Sequence, residues 1–353
     1  MKVICFIDSL GGGGAQRQLT SLAVLLREQN VDSTVVVYHD RPFYLGYLKK
    51  NGVPYYVLQN ATKPLSRIIR FYRYFKNEKP DWVIAYQDTP SIVACICKML
   101  GCKFRLIVSE RNTTQRIITQ TKIKFNLYRV ADYVVPNSNS QKEFILSHFS
   151  FLKNKVRVIT NFIDTGFFKP IKKNISKPLE ILSVARIYPQ KNAPRFVEAV
   201  KLAVEKGASF HVSWYGAKGS DYPEAQEKIE RYHLEKFIEF KVPNNNIIEA
   251  YHNSDVFVLP SIFEGFPNVL CEAMSCGLPV LFSNVCDNPL IARDGYNGYL
   301  LEPLDVNQMA EALMRMASNA PKEINIMGER SREIIENNFS KQLFVDKYLE
   351  LIQ

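Results

Sequence analysis

The sequence predicts an α/β protein made of two doubly wound parallel sheets. Three observations carry that expectation. Short runs of β-branched and aromatic residues alternate with helical stretches along the chain. The 353 residues are too many for one comfortable core and suit two domains. A polar segment containing lysine and proline, 169–178, interrupts the alternation, and a fresh strand follows it. The domains expected are therefore 1–168 and 169–338, with 339–353 as a terminal helix.

Taken in order, Lys2–Asp8 reads as the first strand, because Val3–Ile7 is an apolar run too short for the core of a signal peptide. The glycines Gly11–Gly14 follow, then a helix over Ala15–Gln29. Strand, glycine loop and helix N-terminus make a corner that suits phosphate. Gln16 stands where a dinucleotide fold wants a third small residue, so a plain tight turn is an equally good reading. Ser33–Tyr38, Tyr55–Leu58, Trp82–Tyr86, Phe104–Ser109 and Ala131–Val135 read as strands. Helical stretches between them include Pro64–Phe75, Pro90–Leu100 and Ser140–Ser147. Two stretches, Lys63–Lys76 and Arg116–Arg129, are both basic and aromatic. In the first, Ile68, Phe71, Tyr72 and Phe75 share one side of a helix, and Arg67, Arg70, Arg73 and Lys76 fall elsewhere. Such a helix either packs its apolar face into the core or lies on an anionic membrane.

The second half opens with a strand, Leu179–Ala185, that ends in Arg186. Lys191 comes five residues later, before a helix over Pro194–Lys206. Two cations beside a helix N-terminus suit a phosphate-bearing ligand, whose negative charge they can stabilise. Arginine can grip it bidentately while lysine supplies a point charge. Phe210–Tyr215, with Gly216 and Gly219, and Ile238–Pro243 are the next strands. Val256–Leu259, stopped by Pro260, reads as a strand buried on both faces. The stretch after it organises the chain: a loop Ser261–Pro267, a helix capped by Asn268 and closed at Gly277, and a strand Pro279–Phe282. Glu264 then sits at the carboxyl end of a strand, where open α/β sheets bind ligands, and Glu272 lies inside the following helix. The loop Glu264–Pro267 aims backbone N–H groups at the same crevice as the helix N-terminus, which favours an anion. Taken singly, either glutamate also reads as an ordinary solvated carboxylate. Gly295–Leu301 and helices over Asp305–Ser318, Lys322–Asn337 and Lys341–Gln353 complete the chain.

Glu264 and Glu272, followed by Ala273-Met-Ser-Cys-Gly-Leu-Pro-Val280, resemble the signature of the family 4 retaining glycosyltransferases. Arg186 with Lys191-Asn192, Val156–Asp164 and Gly295–Gly298 resemble further motifs of that family, so the likeness covers nearly the whole chain. It implies the GT-B fold, two facing Rossmann-like domains with acceptor on the first and sugar nucleotide on the second. It also implies that the last helix packs back on the first domain. By the same resemblance Glu264 contacts the transferred sugar, Glu272 holds the ribose hydroxyls, and Arg186 and Lys191 take the diphosphate. Gly265, Phe266, Pro267 and Asn268 complete the donor loop, Lys241 and Val242 cradle the base, and Gly13 and Gly14 line the cleft. The family often has a donor-touching histidine where this chain has Arg111 or Glu110; Ala185 and Phe162 replace glycines, and Leu290 replaces an acidic residue. The catalytic candidates are thus Glu264, Arg186, Lys191 and Arg111. The reaction implied moves a hexose or N-acetylhexosamine from a nucleotide-diphosphate sugar, with UDP the expected nucleotide, to a hydroxyl with retention. No metal or other cofactor is expected, since the cations and helix N-termini would neutralise the phosphates.

Net charge adds a partner. Residues 1–170 carry 25 Lys+Arg against 11 Asp+Glu, whereas the remainder has 20 against 24. The basic surface belongs to the first half and should face something acidic. With the resemblance, that points to a glycan acceptor, polysaccharide or polyprenyl-diphosphate-linked, and to an anionic membrane surface rather than nucleic acid. The absence of an 18-residue apolar run argues against a transmembrane helix. Seven cysteines without a Cys-x-x-Cys pair read as buried thiols in a reducing cytosol. The location expected is cytoplasmic, peripheral on the inner face of the cell membrane. Two rivals remain: a sugar-nucleotide epimerase of the same fold, and a non-catalytic binder of membrane or nucleic acid. The binder leaves Arg186, Lys191, Glu264 and Glu272 unexplained as a set.

Overall fold

The computed structural model describes residues 1–61, 63–111, 113–172, 174–243 and 246–353. Asn112, in the loop after the fifth strand, and Lys173, in the expected linker, lie outside the described residues. The chain divides into two compact units, Met1–Phe162 with Lys341–Gln353, and Ile163–Ser340.

The first unit runs β1 (Lys2–Phe6), α1 (Gly14–Glu28), β2 (Asp32–Val37), α2 (Leu45–Lys50), β3 (Tyr55–Val57), α3 (Pro64–Glu78) and β4 (Trp82–Tyr86). It continues with α4 (Asp88–Met99), β5 (Arg105–Glu110), α5 (Thr119–Leu127), β6 (Tyr133–Pro136) and α6 (Asn139–His148). The six strands form one sheet in the order β3-β2-β1-β4-β5-β6, with every pairing parallel. Period two divides β1 between two cores. Val3 and Cys5 pack on one face of the sheet, Ile4 and Phe6 on the other, and all four are fully buried. Such a strand must be apolar at every position, which is why its sequence reads as a continuous run.

The second unit runs β7 (Leu179–Val184), α7 (Ala193–Glu205), β8 (Phe210–Tyr215), α8 (Tyr222–Arg231), β9 (Ile238–Lys241), α9 (Ile247–His252) and β10 (Val256–Leu259). After these come α10 (Asn268–Ser275), β11 (Val280–Ser283), α11 (Asn288–Ile291), β12 (Gly298–Leu301), α12 (Val306–Ser318) and α13 (Pro321–Asn338). Its sheet is again six-stranded and parallel, in the order β12-β11-β10-β7-β8-β9. The chain builds outward from β7 to β9, then returns to lay β10 on β7's other side. The topological switch point therefore lies between β7 and β10, and a ligand belongs at their carboxyl ends.

The last helix, α14 (Lys341–Ile352), belongs to the first unit. Trp82 Nε1 donates to the Ile352 carbonyl at 3.0 Å, and the Tyr86 and Tyr348 hydroxyls are 2.8 Å apart. The ring of Phe344 packs 5.1 Å from that of Phe162.

One local expectation is corrected. Asn268 is the first helical residue of α10 rather than its cap; Pro267 holds the cap position with φ −81°, and its carbonyl accepts from Cys271 N. On α3 the Arg67 guanidinium covers the Tyr38 ring at 4.1 Å, and Nε donates to the Ala61 carbonyl. Arg70 and Arg73 are exposed, beside exposed Leu65 and Ile69. Among the described residues no helix is long and apolar enough to cross a membrane. No cysteine is in a disulfide; six are buried and Cys286 is half-buried.

Candidate active site

The site is built where β7 and β10 end side by side. Beyond β7 the backbone stays locked to β8's loop: Ala185 N donates to the Tyr215 carbonyl, and Trp214 Nε1 donates to the Ala185 carbonyl at 2.8 Å. Gly216 permits this closeness, since a Cβ there would stand 1.9 Å from the Ala185 oxygen. Arg186 then emerges exposed, its guanidinium 5.5 Å from the centre of the Tyr188 ring.

A short 3₁₀ turn, Pro189–Lys191, leads to Asn192, which adopts φ +62°. That left-handed conformation suits asparagine better than most residues. Asn192 is buried, and its Nδ2 spends both hydrogens, donating to the Pro260 carbonyl at 3.1 Å and the Pro303 carbonyl at 2.7 Å. It thereby ties together the loops that follow β7, β10 and β12. Gln190 adds two more links to the loop after β10. Its carbonyl accepts from Ile262 N at 2.8 Å, and its Nε2 donates to the Phe263 carbonyl at 2.9 Å.

These ties bring Lys191 to Glu264. Lys191 Nζ lies 2.5 Å from Glu264 Oε1, with side chains 18% and 8% exposed. The two residues are 73 positions apart in sequence and meet at the switch point. The Glu264 backbone N–H donates to Cys286 Sγ at 3.5 Å, and Cys286 itself holds φ +50° in the loop after β11. Glu272, one turn into α10, is 5% exposed, and Tyr251 of α9 donates its hydroxyl to Oε2 at 3.1 Å.

The other expected residues sort by what their side chains are doing. Gly265 is half-buried in the loop, whereas the Phe266 ring is in the core, 5.5 Å from that of Phe339. What Phe266 can offer a ligand is main chain. Pro267 and Asn268 begin α10. At the end of β9, Lys241 bonds Ser213 Oγ at 3.1 Å and pairs with Glu239 at 2.6 Å. Burial works against its charge, but the hydrogen bond and charge of Glu239 outweigh it and raise its pKa. Lys241, Tyr215, Val242 and Pro243 line a hollow of about 470 Å³, with Val242 74% exposed.

In the first unit, Gly13 caps α1 in an extended conformation and Gly14 is its first residue. Arg111 stands at the end of β5, already engaged. It donates to the Tyr86 hydroxyl at 2.7 Å, the Tyr348 hydroxyl at 2.5 Å and Asn161 Oδ1 at 2.9 Å, and it stacks on the Tyr86 ring at 4.1 Å. Its neighbour Glu110 is buried, accepting from Lys124 Nζ at 2.7 Å and the Tyr128 hydroxyl at 2.7 Å. Sequence reasoning did not single out Gln190, Tyr251 or Cys286. Each acts through a partner far away in sequence, so no local pattern marks it.

Two six-stranded parallel units, the second with Lys191 and Glu264 meeting at its switch point, have the architecture of a glycosyltransferase of the GT-B fold. Residues 12–167 match the model of Glycosyltransferase Family 4 and residues 165–338 that of Glycosyl transferases group 1, so the chain belongs to this family. It is 29% identical over 313 residues to the amylovoran biosynthesis glycosyltransferase of Erwinia amylovora, covering 84% of this chain and 85% of that protein. It is 26% identical to the UDP-Gal:alpha-D-GlcNAc-diphosphoundecaprenol alpha-1,3-galactosyltransferase of Escherichia coli, covering 83% and 80%. The fold is that of Anabaena HepE, solved with UDP and glucose, at a TM-score of 0.85 and 19% identity over 99% of this chain and 98% of that one.

Proposed function

We propose that the protein transfers a hexose or N-acetylhexosamine from a UDP-sugar to a hydroxyl of a polysaccharide or polyprenyl-diphosphate-linked acceptor, with retention and without a metal. The observation that carries this reading is the Lys191–Glu264 pair at the β7–β10 switch point. Before donor binds, each charge neutralises the other. An arriving diphosphate recruits Lys191, with Arg186 beside it, and leaves Glu264 to position the sugar. Glu272 takes the ribose, and the base lies over the hollow at Tyr215 and Val242. The acceptor hydroxyl then attacks from the leaving group's face and passes its proton to a phosphate oxygen. Support for UDP and a lipid-linked acceptor comes from the Escherichia coli relative, whose name carries both. The basic first unit, with Leu65 and Ile69 exposed beside Arg70 and Arg73, favours a peripheral position on an anionic membrane.

The test is a panel of UDP- and GDP-sugars with lipid-linked and polysaccharide acceptors, products being assigned by NMR. We expect one sugar to be transferred with its anomeric configuration kept, undiminished by a chelator. Glu264→Ala should lower kcat/KM on the order of 100- to 1000-fold, the scale of removing one preorganised charged group. Epimerised donor with no acceptor consumed, or activity restored only by added Mg²⁺, would contradict the proposal.

A further inference from the structure

The Tyr251 hydroxyl has no part in the chemistry proposed above, yet it is aimed at the carboxylate that would read the nucleotide. The residue is fully buried on α9. Its ring is wedged between Phe168, 5.9 Å away and edge-on, and Phe257, 6.0 Å away. This packing fixes where the oxygen points. The hydroxyl donates to Glu272 Oε2 at 3.1 Å and lies 3.4 Å from the Val269 carbonyl, one turn earlier on the same helix. Glu272 is 5% exposed, so its rotamers are already limited, and a hydrogen bond from a rigid, packed aromatic narrows them further before any ligand arrives.

We propose that Tyr251 is a positioning and specificity-determining residue. By holding Glu272 Oε2, it fixes the carboxylate in the orientation that accepts the ribose hydroxyls, so the site selects ribonucleoside-diphosphate sugars over 2′-deoxyribonucleoside-diphosphate sugars. The inference rests on the reading of Glu272 as the ribose group. Its physical basis is the asymmetry of hydrogen bonding. A preorganised buried carboxylate left without its ribose partner is costly, whereas a carboxylate free to turn elsewhere loses little when the hydroxyl is missing. Selectivity therefore depends on rigidity, to which the hydrogen bond from Tyr251 contributes.

The experiment is calorimetric titration of UDP, 2′-deoxy-UDP, GDP and 2′-deoxy-GDP into the full chain, Tyr251→Phe and Glu272→Ala. Tyr251→Phe keeps the ring and its packing. In Glu272→Ala the tyrosine hydroxyl still has the Val269 carbonyl within reach. The wild type should prefer the ribonucleotide by about ten- to a hundred-fold, the worth of hydrogen bonds to a charged group. Tyr251→Phe should weaken the ribonucleotide while the deoxyribonucleotide binds no less well than to the wild type, so the preference shrinks to about three-fold or less. A merely structural role would weaken both nucleotides alike and would overturn the inference. So would a preference that survives in Tyr251→Phe but disappears in Glu272→Ala; the reading of Glu272 would then stand without Tyr251. A preference that persists in Glu272→Ala, or a wild type that binds none of the four nucleotides, overturns that reading and the inference with it.

Discussion

Lys124 shows how a single residue can matter without touching a ligand. Its side chain is 8% exposed and shares its ammonium between Glu110, 1% exposed, and Asp88. Burial alone would draw the proton off Lys124, but the two carboxylates outweigh it and hold its pKa above the usual lysine value. A raised pKa on a cation stabilises the fold fully below the ordinary lysine value, and the contribution fades as pH climbs past it. At neutral pH the lysine side of the pair therefore contributes in full, while burial, which outweighs Lys124 and raises the Glu110 pKa, takes part of that gain back. Lys124→Met strands a buried carboxylate and should cost about 3–5 kcal/mol in chemical denaturation, most of it recovered in Lys124→Met/Glu110→Leu. Equal stability of the single and double variants would show that the pair is not what Glu110 depends on. The thiols give a second check. Burial pushes Cys5, Cys95 and Cys97 up to about 12, so at pH 8 only about one in ten thousand of each is thiolate. Iodoacetamide on the native protein should label half-buried Cys286 first, read by peptide mass spectrometry, and labelling of Cys5 at a similar rate would refute this. The motif residues were legible because their types and spacing are local. Tyr251 and Asn192's struts were not, since a hydrogen bond spanning 21 or 111 positions leaves no local pattern.

Helix α3 carries the prediction that belongs to the scale of elements. Phe71 and Phe75 bury one face, while Arg70, Arg73, Leu65 and Ile69 present a mixed basic and apolar face to solvent. On an anionic leaflet each basic residue close to the surface contributes about 1 kcal/mol. Arg70→Ala/Arg73→Ala should therefore weaken binding to phosphatidylserine liposomes roughly thirty-fold at low salt. Arg67→Ala should leave that binding nearly intact, because Arg67 is held over Tyr38. Binding that is unchanged in the double variant removes α3 from the membrane account. The elements most legible in the sequence were those buried on both faces: β4, β8 and β10 occupy the residues their apolar runs predict. Helix α8 went unread for the opposite reason. Only Ala225 and Ile229 of it are buried, with Tyr222 and Tyr232 packed partly against the same core, so its apolar stripe is thin, and Lys228–Glu224 and Arg231–Glu227 pairs brace its polar side.

At the scale of the whole molecule, alternation of strand and helix was enough to predict two parallel sheets, because a parallel pair requires a crossover and the crossover is the helix. The strand order was not readable. Whether β10 joins β7 or extends from β9 depends on which faces fit, and that depends on residues from every element at once. The order matters for function, since returning β10 to β7 is what makes the switch point and sets Glu264 against Lys191. Charge is divided unevenly along the chain: residues 1–170 carry the excess of lysine and arginine, and the second unit carries the Lys191–Glu264 pair. The central claim is that this second unit holds a nucleotide diphosphate at that point. Calorimetric titration of UDP into the intact protein and into Lys191→Ala tests it most directly. The account predicts binding to the intact protein that falls at least about ten-fold in the variant, as loss of a charge-assisted contact requires. Equal affinity for both proteins would contradict it.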